Sequence, residues 1–137
     1  MSEMSEMREM TQRFELLVLA GDGIGPEIMA EVIKIARWFQ QRGLPLSIAE
    51  EQYGISAWKR HGSLMPEQTW SRIVSADAIL FGATGSPEYE RIPAQQRQQD
   101  YLLKMRRELD LFANIRPIRA LPSIEDASSL RPEVLRG

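Results

Sequence analysis

The residues best equipped for chemistry lie between Tyr101 and Pro117, a stretch reading YLLKMRRELDLFANIRP. Leu102, Leu103, Met105 and Leu109 recur at helical spacing with charges between them, which predicts a helix. Arg106 follows Leu102 by four residues and Leu103 by three, so its side chain emerges beside the apolar stripe. Leu111 to Ile115 then predicts a short buried strand. It delivers Arg116 immediately before Pro117, where a hydrogen-bond ladder cannot readily continue. Two guanidinium groups placed this way are able to converge on one small anion, because a planar, permanently charged fork matches a carboxylate bidentately. Arginines on helices and before prolines also serve as plain solvated charges, and spacing alone leaves both readings open.

Few other constellations offer chemistry. His61 is the only histidine, and it sits in a polar setting that suits a surface or capping role. There is no cysteine, which excludes disulfides, thiolate metal sites and a cysteine nucleophile. No His-based triad or cluster of metal ligands can be assembled. The 137 residues carry a net charge of −2 without a basic stripe, so nucleic acid is a poor candidate partner. No apolar run approaches the ~20 residues of a membrane helix. The opening residues, MSEMSEMREMTQRF, are acidic, Met-rich and polar. They lack the layout of a secretory signal and are read as a frayed or disordered extension over residues 1–14.

The elements that must hold the arginines alternate between strand and helix. Glu15 to Ala20 predicts a buried parallel strand ending in glycine. A helix follows from Pro26 to about Gln41, with Pro26 and Glu27 suited to its first turn and Gly43 to its C-terminal cap. Ile28, Val32, Ile35, Ala36 and Phe39 are expected to form its inner face. Leu44 to Glu51 predicts a second strand. Ser56 to His61 predicts a short helix closed by Gly62, and Pro66 to Val74 another with Trp70 and Ile73 inward. Ala78 to Phe81 predicts a third buried strand. Ser86 to Gln99 is polar with two prolines and is read as a mobile loop, and Glu125 to Leu130 as a weak helix. The alternation implies an α/β fold with a largely parallel sheet.

Two Gly-rich loops follow strands: Gly21 to Glu27, GDGIGPE, and Gly82 to Gly85, GATG. The first does not fit a dinucleotide fingerprint, which needs glycine at Pro26, nor a P-loop, which needs Gly-Lys-Ser/Thr. Asp22 and Glu27 would also repel a pyrophosphate at this helix start. A backbone-shape role for the glycines is therefore preferred. Both loops lie beyond the carboxyl ends of strands, where open parallel sheets bind ligands.

LLVLAGDGIGPEI, ADAILFGATGSPEY and LLKMRRELDLFANIRP, in this order and spacing, resemble the N-terminal portion of the β-decarboxylating dehydrogenases. This isocitrate/isopropylmalate dehydrogenase family includes the 3-isopropylmalate, isocitrate, homoisocitrate and tartrate dehydrogenases. The resemblance runs from about Leu16 to Gly137 and points in particular to 3-isopropylmalate dehydrogenase. It implies a two-domain α/β fold that is not a Rossmann fold, present here only in its N-terminal part and incomplete. Residues 15–111 would belong to the first, discontinuous domain, and residues 112–137 would begin the second. It further implies oxidation of a substituted malate by NAD or NADP, metal-assisted decarboxylation with Mg²⁺ or Mn²⁺, a role in leucine biosynthesis, a cytoplasmic location, and full-length relatives that are homodimeric. Carried over by position, Arg106 and Arg116 clamp the malate moiety, and Leu102 and Leu103 face the variable side chain of the substrate. Ile24, Gly85, Ser86, Pro87, Glu88, Tyr89 and Gln99 fall along the nicotinamide. Asp100 and Leu102 stand where isocitrate dehydrogenases place a Ser and, two residues later, an Asn, which argues against isocitrate.

The sequence departs from the isopropylmalate pattern at three points. Gln99 replaces a usual Glu, Tyr101 a usual small residue, and Gly85-Ser86-Pro87-Glu88-Tyr89 a usual GG-P-[KR]-W. A divergent or tartrate dehydrogenase-like enzyme acting on another substituted malate therefore stays open. The third substrate arginine, the catalytic Tyr and Lys, and the metal-binding aspartates implied by the resemblance would all come after Gly137. The chain alone is thus expected to be an inactive fragment, with a non-catalytic binding or subunit-interaction module as the alternative.

Overall fold

The computed structural model describes residues 13–97, 101–117 and 129–135. Three parallel strands form one sheet in the order β2-β1-β3. They are β1 (Phe14–Leu19), β2 (Leu46–Glu51) and β3 (Ala78–Phe81). Register runs Leu16↔Ile48 and Val18↔Glu50 on one side, and Leu17↔Ile79 and Leu19↔Phe81 on the other. The central strand is buried on both faces, with Leu17, Val18 and Leu19 almost wholly removed from solvent. A continuous apolar run is the pattern such a strand requires.

Helix α1 (Gly25–Gln41) connects β1 to β2 and covers one sheet face. Its first turn carries Pro26 and Glu27, as the helix dipole favours. It ends in a Schellman motif. Gly43, at φ +93°, donates its N–H to the Gln40 carbonyl, and Leu44 donates to Phe39. The buried side chains of α1 are Met29, Ile33 and Ala36, and Met29 and Ile33 pack with Val18, Val32, Ile48 and Leu80. The expected inner face is thus rotated by one residue. Of its members only Ala36 is buried, Val32 is half-buried, and Ile28, Ile35 and Phe39 are exposed. Two apolar stripes share this helix, and the sheet takes the one that reaches Val18.

Helix α2 (Ile55–His61) ends at Gly62, which adopts the left-handed conformation at φ +69°. Helix α3 (Glu67–Ser75) follows, with Ile73 and Thr69 buried. The Thr69 hydroxyl donates to the Gln52 carbonyl at 3.1 Å. Trp70 is half-buried, with the Lys104 ammonium 4.7 Å from its ring centroid. Arg72 pairs with both Glu15 and Glu51, tying α3 to two strands.

Residues 86–97, expected as a mobile loop, instead fold into a 3₁₀ helix at Pro87–Arg91 and a helical turn, α4, at Ala94–Arg97. The Ser86 side chain caps the first by accepting from the Glu88 N–H, and Ile92 is buried with Ile55 and Leu64. One apolar anchor therefore organises a polar stretch. Helix α5 (Tyr101–Glu108) confirms the expected helical spacing. Leu111 to Ile115 does not form the expected strand. It is irregular, and Phe112 and Ile115 are 97% and 85% exposed. A strand requires a paired ladder and a covered face, and this stretch has neither among the described residues. Helix α6 spans Pro132–Leu135. The expected helix at Glu125 to Leu130 and the extension at 1–14 lie largely outside the described residues. The chain divides into two compact units, one up to Met105 and one from Arg106.

The rotated face makes a direct forecast. Leu17→Ala should cost about 2–5 kcal/mol of stability, because it opens a cavity in a fully packed strand. Phe39→Ala should cost less than about 1 kcal/mol. Urea denaturation of the two variants of this chain checks the contrast.

Candidate functional site

Because β1 and β3 are adjacent and parallel, the loops that leave their carboxyl ends meet. The Gly82 N–H donates to the Leu19 carbonyl at 2.8 Å, and the Asp22 N–H donates to the Ala83 carbonyl at 2.7 Å. A Cβ on Gly21 would stand 2.1 Å from the Ala83 oxygen, and one on Gly82 only 1.9 Å from the Ala20 oxygen. The glycines thus permit backbone to cross backbone, as their preferred shape role anticipated.

Asp22 joins this crossing to a third element. It is 6% exposed. Its Oδ1 accepts the Ile55 N–H at 2.6 Å, at the start of α2, and its Oδ2 accepts the Gly85 N–H at 3.4 Å. Gly54 leaves room for the carboxylate, since a Cβ there would lie 2.4 Å from Oδ1. Sequence reasoning treated Asp22 only as a charge unfriendly to phosphate. The available signal was an aspartate between glycines at a strand end, a setting in which the side chain turns to backbone N–H groups.

The residues expected along the nicotinamide fall into two sets. Ile24 and Gly85 are exposed on the two loops. Ser86, Glu88 and Tyr89 are engaged locally. Ser86 caps the 3₁₀ helix, Glu88 pairs with Lys59 of α2, and the Tyr89 hydroxyl donates to the Arg97 carbonyl at 3.0 Å. Tyr89 also packs against the Ile55, Leu64 and Ile92 cluster. Pro87 is exposed at the 3₁₀ start, and Gln99 lies outside the described residues. On α5, Leu102 is half-buried and Leu103 exposed. Arg106 and Arg116 are both exposed, and neither forms an ion pair among the described residues. The carbonyl of Arg106 accepts the Leu111 N–H at 2.9 Å. That bond closes α5 around Asp110, whose φ of +52° makes it the helix's left-handed cap.

A cavity of about 540 Å³ opens at the carboxyl ends of β1 and β2, lined by Gly21, Glu50, Gln52, Tyr53, Arg60 and His61 among others. Its acids are partly committed, Glu50 to Arg37 and Glu51 to Arg72. Among the described residues no group of three His, Cys, Asp or Glu side chains is placed to hold a metal ion. Also among the described residues, no helix is long and apolar enough to cross a membrane.

The sequence profile described as isocitrate/isopropylmalate dehydrogenase matches residues 15–137. The 3-isopropylmalate dehydrogenase 1 of Bordetella bronchiseptica is 44% identical over 125 residues, which cover 90% of this chain and 34% of that protein. The 3-isopropylmalate dehydrogenase of Gluconobacter oxydans is 43% identical over 129 residues, covering 93% of this chain and 35% of that protein. Among solved structures, the apo form of a β-decarboxylating dehydrogenase from Thermococcus kodakarensis superimposes with a TM-score of 0.55 at 28% identity. The overlap covers 72% of this chain and 27% of that one. The chain thus spans about a third of the length of the curated relatives it matches.

Two measurements probe the geometry. Gly82→Ala should destabilise the chain by about 1–3 kcal/mol, because its methyl meets a backbone oxygen that cannot yield without moving a strand end. Thermal melts should show a far smaller effect for Ser47→Ala, on the exposed side of β2. The Lys59 ammonium, by hydrogen bond and charge, with Arg91 adding to it, holds the Glu88 carboxyl below the usual carboxylate range. A lowered folded-state value means that the tie is present above the ordinary pKa and is lost as pH falls through the lowered one. NMR titration of the Glu88 carboxyl carbon should show its midpoint rise in Lys59→Met.

Proposed function

The chain belongs to the isocitrate/isopropylmalate dehydrogenase family, and we propose that it forms the N-terminal part of an oxidative decarboxylase of a substituted malate, of the 3-isopropylmalate dehydrogenase type. The observation that carries this reading is identity of 41–44% to several 3-isopropylmalate dehydrogenases across some nine-tenths of the chain. The family's reaction oxidises a 2-hydroxy acid and then releases its 3-carboxylate as CO₂. When bound, a nicotinamide dinucleotide supplies the hydride acceptor, with NAD the expected form. This chain's own contribution is to bind and orient. Arg106 and Arg116 supply two cationic forks for the malate carboxylates, and Leu102 and Leu103 supply apolar surface for the substituent. Exposure of Ile24 and Gly85 on two touching loops is compatible with contact to the cofactor. Taken alone, the 137 residues attract a dicarboxylate only weakly and do not turn it over, and the location is the cytoplasm.

A second reading, a subunit-interaction module without catalysis, is favoured by the apolar side chains left in solvent. Ile28, Ile35 and Phe39 on α1, and Phe112 and Ile115 in the second unit, are the clearest cases. Stoichiometric co-purification of a partner that covers them would support it.

The deciding experiment is a dehydrogenase assay of the protein purified from its native source, at its native length. It should reduce NAD with 3-isopropylmalate and Mg²⁺ or Mn²⁺, and respond poorly to isocitrate. Arg106→Ala and Arg116→Ala should each lower kcat/KM by roughly a hundredfold or more, as loss of a charged bidentate contact implies. Absence of turnover with isopropylmalate, tartrate and isocitrate alike would shift the case to the interaction module.

A further inference from the structure

The buried Asp22 carboxylate is not used by the binding roles above, yet it is the one side chain among the described residues that bonds both α2 and the second Gly-rich loop. The geometry points to Asp22 as a positioning residue, which fixes the start of the Gly85–Tyr89 segment relative to the first loop and so sets where the cofactor-facing edge stands. The consequence for the cofactor rests on the nicotinamide reading of that segment; the tie itself does not.

The two oxygens have separate tasks. Oδ1 holds the Ile55 N–H at 2.6 Å, a short charge-assisted bond, while Oδ2 reaches the Gly85 N–H at 3.4 Å, a long one. Backbone contacts already bring the loops together, through the Asp22 N–H to the Ala83 carbonyl. That bond holds Ala83, two residues short of the segment. Gly85 itself is a swivel, with φ at +99° and nothing within 4 Å of where its Cβ would stand. Among the described residues no backbone hydrogen bond holds Gly85, so the Oδ2 contact is the hydrogen bond that restrains the junction. Immediately beyond it, Ser86 caps the 3₁₀ helix and Tyr89 anchors in the Ile55 cluster. Ile55 is also the residue whose N–H Asp22 holds through Oδ1. One carboxylate therefore pins the segment at its entry and at the base on which its far end rests.

Asparagine separates the two tasks. It keeps a single oxygen, which stays on the shorter Ile55 bond, and turns an NH₂ donor toward the Gly85 N–H, where two donors oppose each other. In D22N, amide exchange followed by NMR on the whole 137-residue chain should accelerate at Gly85 by about three- to tenfold, while Ile55 and the strand amides change by less than about twofold. A merely structural role would instead raise exchange across β1, β2 and β3 together, and that result overturns the proposal. Should D22N fail to fold, the wild-type chain decides. Gly85 exchange slower than that of its exposed neighbour Thr84, by more than sequence alone dictates, supports the tie, and equal corrected rates overturn it. NADH added to the wild type tests the underlying reading separately. Slowed exchange across Gly85 to Tyr89 supports it, and no change removes the cofactor consequence while leaving the Asp22 tie to stand or fall on the first measurement.

Discussion

The structure depends on one close approach, the crossing of the Ala20–Gly25 and Gly82–Gly85 loops at the ends of two neighbouring parallel strands. Side chains are excluded from it by distance, since a Cβ on Gly21 or Gly82 would fall about 2 Å from a carbonyl oxygen. What remains is backbone hydrogen bonding, plus the carboxylate of Asp22 reaching out of the crossing to α2. Parallel strands force this arrangement. Both chains leave the sheet at the same end, both must turn toward helices, and only residues without a Cβ let the turns share one space. The Gly-rich loops are thus first a solution to packing. Any ligand role they have is built on top of it.

Elements whose pattern reflects a single local cause were legible in the sequence. The three strands, the Pro26 and Gly43 boundaries of α1, and the Gly62 stop of α2 each follow from a short strand-like run between turn residues, from the fixed φ of proline or from a left-handed glycine. The inner face of α1 was not legible, because Ile28, Ile35 and Phe39 make as good a stripe as Met29, Ile33 and Ala36. Only the position of Val18 and Leu80 on the sheet decides between them. Residues 86–97 misled in the opposite way. Their polarity hides Ile92, which with Tyr89, the Ser86 cap and the Glu88–Lys59 pair orders a stretch that composition reads as loop.

Leu111 to Ile115 shows a third kind of limit. Its apolar composition is that of a strand, but strand formation is a property of pairs. Among the described residues nothing offers its backbone a ladder, so apolar side chains as large as Phe112 stand in water. The site was legible to a similar degree. Glycine spacing placed the two loops beyond the strand ends, whereas the strand expected to deliver Arg116 does not form. Asp22, whose importance is visible only once Ile55 and Gly85 are known to be its neighbours, was not found.

Burial also governs what the arginines can do. Two unit charges 4 Å apart attract by only about 1 kcal/mol in bulk water, and by roughly 4 kcal/mol where the effective dielectric constant falls to about 20. Arg106 and Arg116 are exposed, so a dicarboxylate meeting them in this chain gains little over its own hydration. Their chemistry becomes strong only where further protein surface removes water from around the forks. The exposed apolar groups of the same unit, Phe112 and Ile115, ask for the same thing on hydrophobic grounds. Charge and apolar surface in the second unit therefore point to one missing condition. Under the proposed function, a substituted malate would be held by these two forks, and desolvation is what would turn weak attraction into affinity.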